Sequence, residues 1–352
     1  MKYKVVVAAL GCAATLLAAV PAAASARTHL VWAGGTPGFQ KALANSYGGE
    51  ALDFFPHSVT VNQGDTIEWQ GMSIGFHSID VPKKGGADLP LILPTGTNAS
   101  GLNDAAGNPF WFNGAPNVGF NPALGGPSGG GVYNGSTRAA SGLPLGPPKA
   151  YKLKFTKPGT YVYFCDVHYD MRGVVVVKPA GKPIPTKRQE AASIVAQQAR
   201  DTKIAKKLAK TKVSGDRVSL GLGGKDNVEI LAMFPHTLRV HTGATVSFAM
   251  ATRTGEAHTA TFGPASYLKP LEDSFTGTAP SAAAVYPSSP PGTAIPVSPT
   301  EHGNGFANAG ALDRDSTTPL PPGAKFTFTQ PGTYNYVCMI HPFMHGTVVV
   351  TG

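Results

Sequence analysis

Two stretches of this chain carry a thiol, an imidazole and a thioether at the same spacing. One is C-D-V-H-Y-D-M-R-G, Cys165 to Gly173; the other is C-M-I-H-P-F-M-H-G, Cys338 to Gly346. Each follows an alternating, strand-like run, so Cys-x2-His-x2-Met forms a tight loop able to aim three side chains at one centre. A further histidine stands far upstream of each loop, in F-H-S-I-D-V (76–81) and A-H-T-A-T-F (257–262), and arrives from a different strand. Each set offers one thiolate, two imidazoles and one thioether. The sulfur donors are soft and suit copper in both oxidation states, and imidazole is acceptable to both. Structural zinc is usually held by four Cys or His ligands and seldom by Met. Two His and one Cys with a weak axial Met describe a blue-copper electron-transfer site.

Presenting this set twice takes two copies of one scaffold, and the chain repeats itself at domain length. T-H-L-V-W-A-G-G (28–35) matches R-V-S-L-G-L-G-G (217–224). F-F-P-H-S-V-T-V-N-Q-G-D-T-I-E-W (54–69) matches M-F-P-H-T-L-R-V-H-T-G-A-T-V-S-F (233–248). K-F-T-K-P-G-T-Y-V-Y-F-C-D-V-H (154–168) matches T-F-T-Q-P-G-T-Y-N-Y-V-C-M-I-H (327–341). Val59, Val61, Ile67 and Trp69 fall on alternate positions, as do Leu238, Val240, Val246 and Phe248. This period of two puts them on one face of a sheet. Pro158-Gly159 and Pro331-Gly332 mark the turns before the strands that deliver the cysteines. With 43 Gly and 31 Pro in 352 residues, many short strands joined by long loops are expected, as in a β-sandwich.

The strand pattern, the Pro-Gly-Thr-Tyr turn, the upstream His and the Cys-x2-His-x2-Met loop resemble the cupredoxins, blue type 1 copper proteins of the plastocyanin, azurin and amicyanin kind. The second loop is especially similar to amicyanin. The resemblance implies an all-β fold of two tandem Greek-key β-sandwich domains. It also implies the metal ligands: His77, Cys165, His168 and Met171 in the first domain, and His258, Cys338, His341 and Met344 in the second. One copper ion per domain follows, two in all. The loop residues His168 and His341 would be the electron ports, exposed through an apolar patch. The departure from the family is the length of residues 83–149 and 263–322, between upstream His and Cys. Loops of this length are functional or disordered. G-V-Y-N-G (131–135) and G-F-A-N-A (305–309) recur within them, so part of each is expected to be patterned and to fold over the site as a lid.

The start, M-K-Y-K followed by an apolar run from Val5 to Val20 and P-A-A-A-S-A, reads as an export signal covering residues 1–26. The run is shorter than the roughly 20 residues of a spanning helix, and no later segment is apolar enough to cross a bilayer. Domain 1 is then expected at 27–181, a basic, helical linker at 182–213 and domain 2 at 214–352. An exported protein, periplasmic, extracellular or attached to the envelope, could join its two remaining cysteines in a disulfide. The matching His and Met neighbours argue for metal instead. Net charge is +9, of which Lys2 and Lys4 belong to the signal. Between Lys182 and Lys212 stand nine basic residues against Glu190 and Asp201, so the rest is near neutral. Ile194, Ile204 and Leu208 give that segment a thin apolar stripe, as in a solvated surface connector. A nucleic-acid partner is not expected, because no basic face with base-reading groups is present.

The alternative is a two-domain multicopper oxidase or copper nitrite reductase-like enzyme. Such enzymes need His-x-His pairs for a catalytic copper and a His beside the blue-copper Cys. This chain has no His-x-His, and Phe164 and Val337 precede its cysteines. The expectation is therefore an electron carrier rather than a catalyst, with redox proteins as donor and acceptor. Ser78 and Thr259, next to the upstream histidines, are placed to hold the Cys loop. Asp170, in the first loop only, would favour the oxidised ion and lower that centre's potential. His57 and His236 follow Phe-Pro at strand starts and suit exposed turns; His29, His241, His302 and His345 are expected at the surface.

Overall fold

The computed structural model describes residues 25–352 other than 73–74, 147–148 and 278, so the expected signal lies almost wholly outside the described residues. Among these residues, no helix is long and apolar enough to cross a membrane. The first half contains β1 (Thr28–Ala33), β2 (Gly49–Ala51), β3 (Phe54–Phe55), β4 (Ser58–Asn62), β5 (Thr66–Gln70), β6 (Asp80–Val81), β7 (Ile92–Asn98), β8 (Pro116–Phe120), β9 (Val132–Tyr133), β10 (Ala139–Ala140), β11 (Tyr151–Phe155), β12 (Gly159–Phe164) and β13 (Arg172–Lys178). The second half contains β14 (Arg217–Gly223), β15 (Val228–Phe234), β16 (Thr237–His241), β17 (Thr245–Met250), β18 (Thr261–Phe262), β19 (Ile295–Val297), β20 (Ala307–Asn308), β21 (Gly323–Phe328), β22 (Gly332–Val337) and β23 (His345–Thr351). Helices are few: α1 (Pro37–Tyr47), α2 (Lys187–Leu208), α3 (Ala265–Ser274) and α4 (Ala282–Val285).

The fold is all-β, and each half is a sandwich of two sheets. In the first half the strand orders are β3-β1-β5-β11-β9 and β10-β6-β12-β13-β4. In the second they are β15-β14-β17-β21-β19 and β20-β18-β22-β23-β16, the same pattern strand for strand. The alternating residues build the cores. Val59, Val61, Val175 and Val177 of one sheet meet Ile67, Trp69, Leu153 and Phe155 of the other. Leu238, Val240, Val348 and Val350 likewise meet Val246, Phe248, Phe326 and Phe328. Burying a side chain of this size stabilises the fold by about 1.5–3 kcal/mol, so these rows account for much of each half's cohesion.

One strand breaks the symmetry. β2 belongs to the first half but adds to the second half's sheet beyond β15, with Glu50 opposite Glu229. The linker segment is a helix, as the sequence suggests, but it is not merely solvated. Thr186 and Gln189 form a reciprocal capping box at its start. Ile194, Ile204 and Leu208 then join Leu43 and Phe55 of the first half and Leu222 and Ile230 of the second in one apolar cluster. This docking also corrects the surface expectation for His29, which is buried: its Nδ1 lies 2.8 Å from Glu190 Oε1 on α2 and its Nε2 3.1 Å from Asp65 Oδ2.

The two long insertions make contacts with each other. Phe110 and Phe112 from the first cluster with Leu268, Ala283 and Phe306 from the second. Trp111 Nε1 donates to Pro287 O at 2.8 Å. The recurring G-V-Y-N-G and G-F-A-N-A are not equivalent in space. Val132–Tyr133 pairs with β11, whereas Ala307–Asn308 pairs with β18 in the other type of sheet. Insertions of different composition fold differently, so a similar distance from the Cys does not impose a similar place.

Candidate metal centres

In each half the ligand loop hangs between two paired strands. β12 delivers Cys165 and β13 carries the chain away; β22 and β23 do the same for Cys338. The backbone closes each loop: Cys165 N donates to Met171 O at 2.9 Å and Met171 N to His168 O at 3.1 Å. The second loop repeats this at 2.9 Å from Cys338 N to Met344 O and 2.7 Å from Met344 N to His341 O. Gly173, just after the first loop, lies against a ring: a Cβ there would fall 2.3 Å from Tyr163. Gly346 meets Tyr336 in the same way.

The upstream histidines come to these loops. In the first half His77 Nδ1 and His168 Nδ1 lie 3.0 Å apart, with Cys165 Sγ 4.0 and 3.3 Å from them. In the second, His258 Nδ1 and His341 Nδ1 lie 3.2 Å apart, each 3.8 Å from Cys338 Sγ. The donor atoms of each trio all fall within 4.8 Å of one another. Met171 and Met344 are buried in the same apolar clusters as their cysteines. Both cysteines are free thiols in separate halves, with no disulfide between them.

The donor set fits copper. Backbone N–H groups point at both sulfurs, from Ser78 at 3.4 Å and Thr259 at 3.3 Å. Burial opposes ionisation of Cys165, but the charge of His168 and hydrogen bonds from both imidazoles overcome it and hold the thiol well below its ordinary pKa. Cys338 is depressed in the same way by His258 and His341. Atoms that stabilise a thiolate beside two ring nitrogens are the atoms a soft cation needs. Ser78 and Thr259 stand where the sequence suggests. Ser78 Oγ accepts from Asp166 N at 2.8 Å, and Thr259 Oγ1 accepts from Met339 N at 2.8 Å.

The outer ring nitrogens reveal residues that sequence reasoning missed. His168 Nε2 lies 2.8 Å from Glu256 Oε1, and His341 Nε2 lies 3.7 Å from Glu256 Oε2. His258 Nε2 lies 3.4 Å from Glu229 Oε1, whose partner oxygen accepts from Gly255 N at 2.9 Å. Burial opposes the Glu256 charge, yet His168 and then His341 hold its carboxyl well below the usual range. Glu50 is pushed well up by burial and by the Glu256 charge. The available signal was G-E-A-H (255–258), an acid two residues before a ligand histidine, where the first half has I-G-F-H (74–77). Its significance depends on β2 crossing between halves, which the repeat does not predict.

This arrangement overturns the port expectation for His168 but not for His341. His168 is only 2% exposed, because its outer edge faces the other half rather than solvent. His341 is partly exposed and its ring sits 5.8 Å from that of exposed Phe343. Asp170 is exposed, with Arg314 Nη2 at 3.5 Å to offset its charge. His57 and His236 are exposed, and His57 Nδ1 lies 2.8 Å from Asp53 Oδ1. His241 and His345 are also exposed, whereas His302 is partly buried beside Asp104.

No family model and no curated protein matches this chain. Among solved structures it is similar to a mutant amicyanin in its Cu(I) form, at 21% identity and a TM-score of 0.22, over 41% of this chain and 89% of that one. It is likewise similar to oxidised plastocyanin from Dryopteris crassirhizoma, at 18% identity and a TM-score of 0.21, over 38% of this chain and 99% of that one. Likenesses with TM-scores this low carry no argument, and the metal assignment rests on this chain's own donor atoms.

Proposed function

We propose that the chain is an exported electron-transfer protein with one type 1 copper site in each half. The carrying observation is the repeated trio: two Nδ1 atoms and one Sγ drawn together at the same strand ends in both halves. By this reading His77, Cys165, His168 and Met171 hold one ion, and His258, Cys338, His341 and Met344 the other. Bound copper would supply one-electron redox chemistry. The chain's part is to keep the donors fixed. Paired strands hold each Cys, the loop hydrogen bonds hold each His and Met, and the hydroxyls of Ser78 and Thr259 tie the upstream strand to the loop. Fixed, buried donors change little between oxidation states, which keeps the cost of each transfer low. Redox proteins are the partners this reading requires, and the apolar run after M-K-Y-K supports export.

The test is the visible spectrum and copper content of the loaded protein. Two ions per chain and a thiolate charge-transfer band are expected, with Cys165→Ala and Cys338→Ala each removing about half of the colour. A colourless oxidised protein that takes up no copper would end the proposal. One observation favours the enzyme alternative: Glu50, His168 and Glu256 converge closely enough to hold a further cation. A third ion per chain, with turnover of oxygen or nitrite, would select that reading.

A further inference from the structure

We propose that Glu256 bridges the two centres, and that electrons pass between them through His168, the Glu256 carboxylate and His341. The inference rests on reading both trios as copper sites. When Nδ1 of a neutral imidazole holds a metal, the ring proton sits on Nε2 and is donated to whatever faces it. Here one carboxylate faces both rings, with Oε1 2.8 Å from His168 and Oε2 3.7 Å from His341. The path from ring to ring therefore crosses one residue, a hydrogen-bond-length contact of 2.8 Å and a through-space gap of 3.7 Å. Glu256 is 8% exposed and His168 2%, so little solvent interrupts it.

The surroundings hold Glu256 in this place. Glu229 fixes Gly255 through the backbone N–H at 2.9 Å, directly before Glu256. β2 brings Glu50 across from Glu229 and within 4.8 Å of Glu256. Like charges opposed across strands are destabilising, and buried carboxylates are costly unless paired. A simple interface ion pair would need one imidazole and one acid. The observed arrangement instead spends the outer nitrogens of three ligand histidines on two acids, and only Glu256 reaches both halves.

With copper bound at both sites, one electron would cross per event, a cuprous ion on one side being oxidised as a cupric ion on the other is reduced. No covalent bond forms or breaks, and the Nε2 protons stay on their rings. Glu256 is thus a positioning residue acting through two ligands.

Two measurements test it, on Glu256→Gln and Glu256→Ala in the full chain. In the metal-free protein, the ring N–H signal of His168 should be slow to exchange in the wild type. Glu256→Ala should speed that exchange, whereas Glu256→Gln, whose amide oxygen still accepts, should not. In the copper-loaded protein, intramolecular transfer after a pulse of reductant should slow about 10–100-fold in Glu256→Ala, with both charge-transfer bands retained. Unchanged transfer with both bands intact would overturn the bridge and leave the copper reading standing. A metal ion bound at Glu50, His168 and Glu256 would overturn it too. Failure of the wild type to take up copper would remove both ideas together.

Discussion

Ser78 and Thr259 each carry one hydroxyl that spans from the upstream strand to the residue after the cysteine. Ser78 Oγ accepts from Asp166 N and donates to Asp166 Oδ2, both at 2.8 Å, so it holds backbone and side chain together. Thr259 Oγ1 takes the N–H of Met339 and is itself fixed by Thr261 Oγ1 at 3.1 Å. All of these groups are buried, so no water replaces a lost partner. Ser78→Ala and Thr259→Val should each lower the stability of the metal-free protein by about 1–3 kcal/mol, the cost of leaving a buried N–H unpaired. Denaturant midpoints measure this, and a midpoint within error of the wild type would show that the hydroxyls hold nothing. These roles were legible in the sequence because each hydroxyl follows a repeated histidine. Glu256 was not, because its two histidines come from different halves and meet only through docking.

α2 shows how an element looks simple in sequence and acts otherwise in the fold. Its composition and capping residues announce a basic helix, and its apolar stripe is too thin to predict burial on both halves. The same limit hid β2: three residues, Gly-Glu-Ala, carry no alternation by which to recognise a strand, let alone one that joins the other half. β4, β5, β16 and β17 were legible, since their period of two is unbroken in both repeats. Within α2, Asp201 is fully buried and neither of its carboxylate oxygens has a partner among the described residues. Burial, with smaller effects from Asp53 and Asp226, pushes its carboxyl up to about 8. The unfolded chain ionises this group near its ordinary value of about 4, so between about 4 and 8 the folded state binds the extra proton. Stability from this group is then full below pH 4 and falls as pH rises towards 8. Asp201→Asn cannot ionise, so it should flatten that part of the stability profile and raise the melting temperature at pH 8 relative to pH 5. An unaltered slope in thermal unfolding across this range would refute the assignment to Asp201.

At the scale of the molecule, two copies of one sandwich are fastened at four places: β2 on β15, α2 across both halves, the first ligand loop against Gly255, Glu256 and Arg314, and the paired insertions. The joint between the insertions is the most aromatic. Phe112 is 1% exposed, stacks on Phe110 at 4.8 Å between centroids, and lies 5.5 Å from Tyr286 of the other half. Tyr286 Oη donates to Pro116 O at 2.5 Å, and His302 Nδ1 lies 3.1 Å from Asp104 Oδ2. Parts of each insertion pack on their own sandwich, Tyr133 and Ala139 on the first and Ile295 and Val297 on the second, but Phe110, Phe112, Leu268 and Phe306 are buried where the insertions meet. Removing the Phe112 ring should leave a cavity that costs about 3–5 kcal/mol. That cost falls on the joint rather than on either sandwich, whose Val, Ile and Phe rows are untouched. Phe112→Ala should therefore turn a single calorimetric unfolding transition into two, or lower the first part of it, while the second part stays in place. It should also slow transfer between the centres, because His168 and His341 share Glu256 only while the halves are held together. A single, unshifted transition in Phe112→Ala would mean that the insertions lie against each other without holding the halves, and that β2, α2 and the contacts of the first ligand loop set the distance between the metal centres.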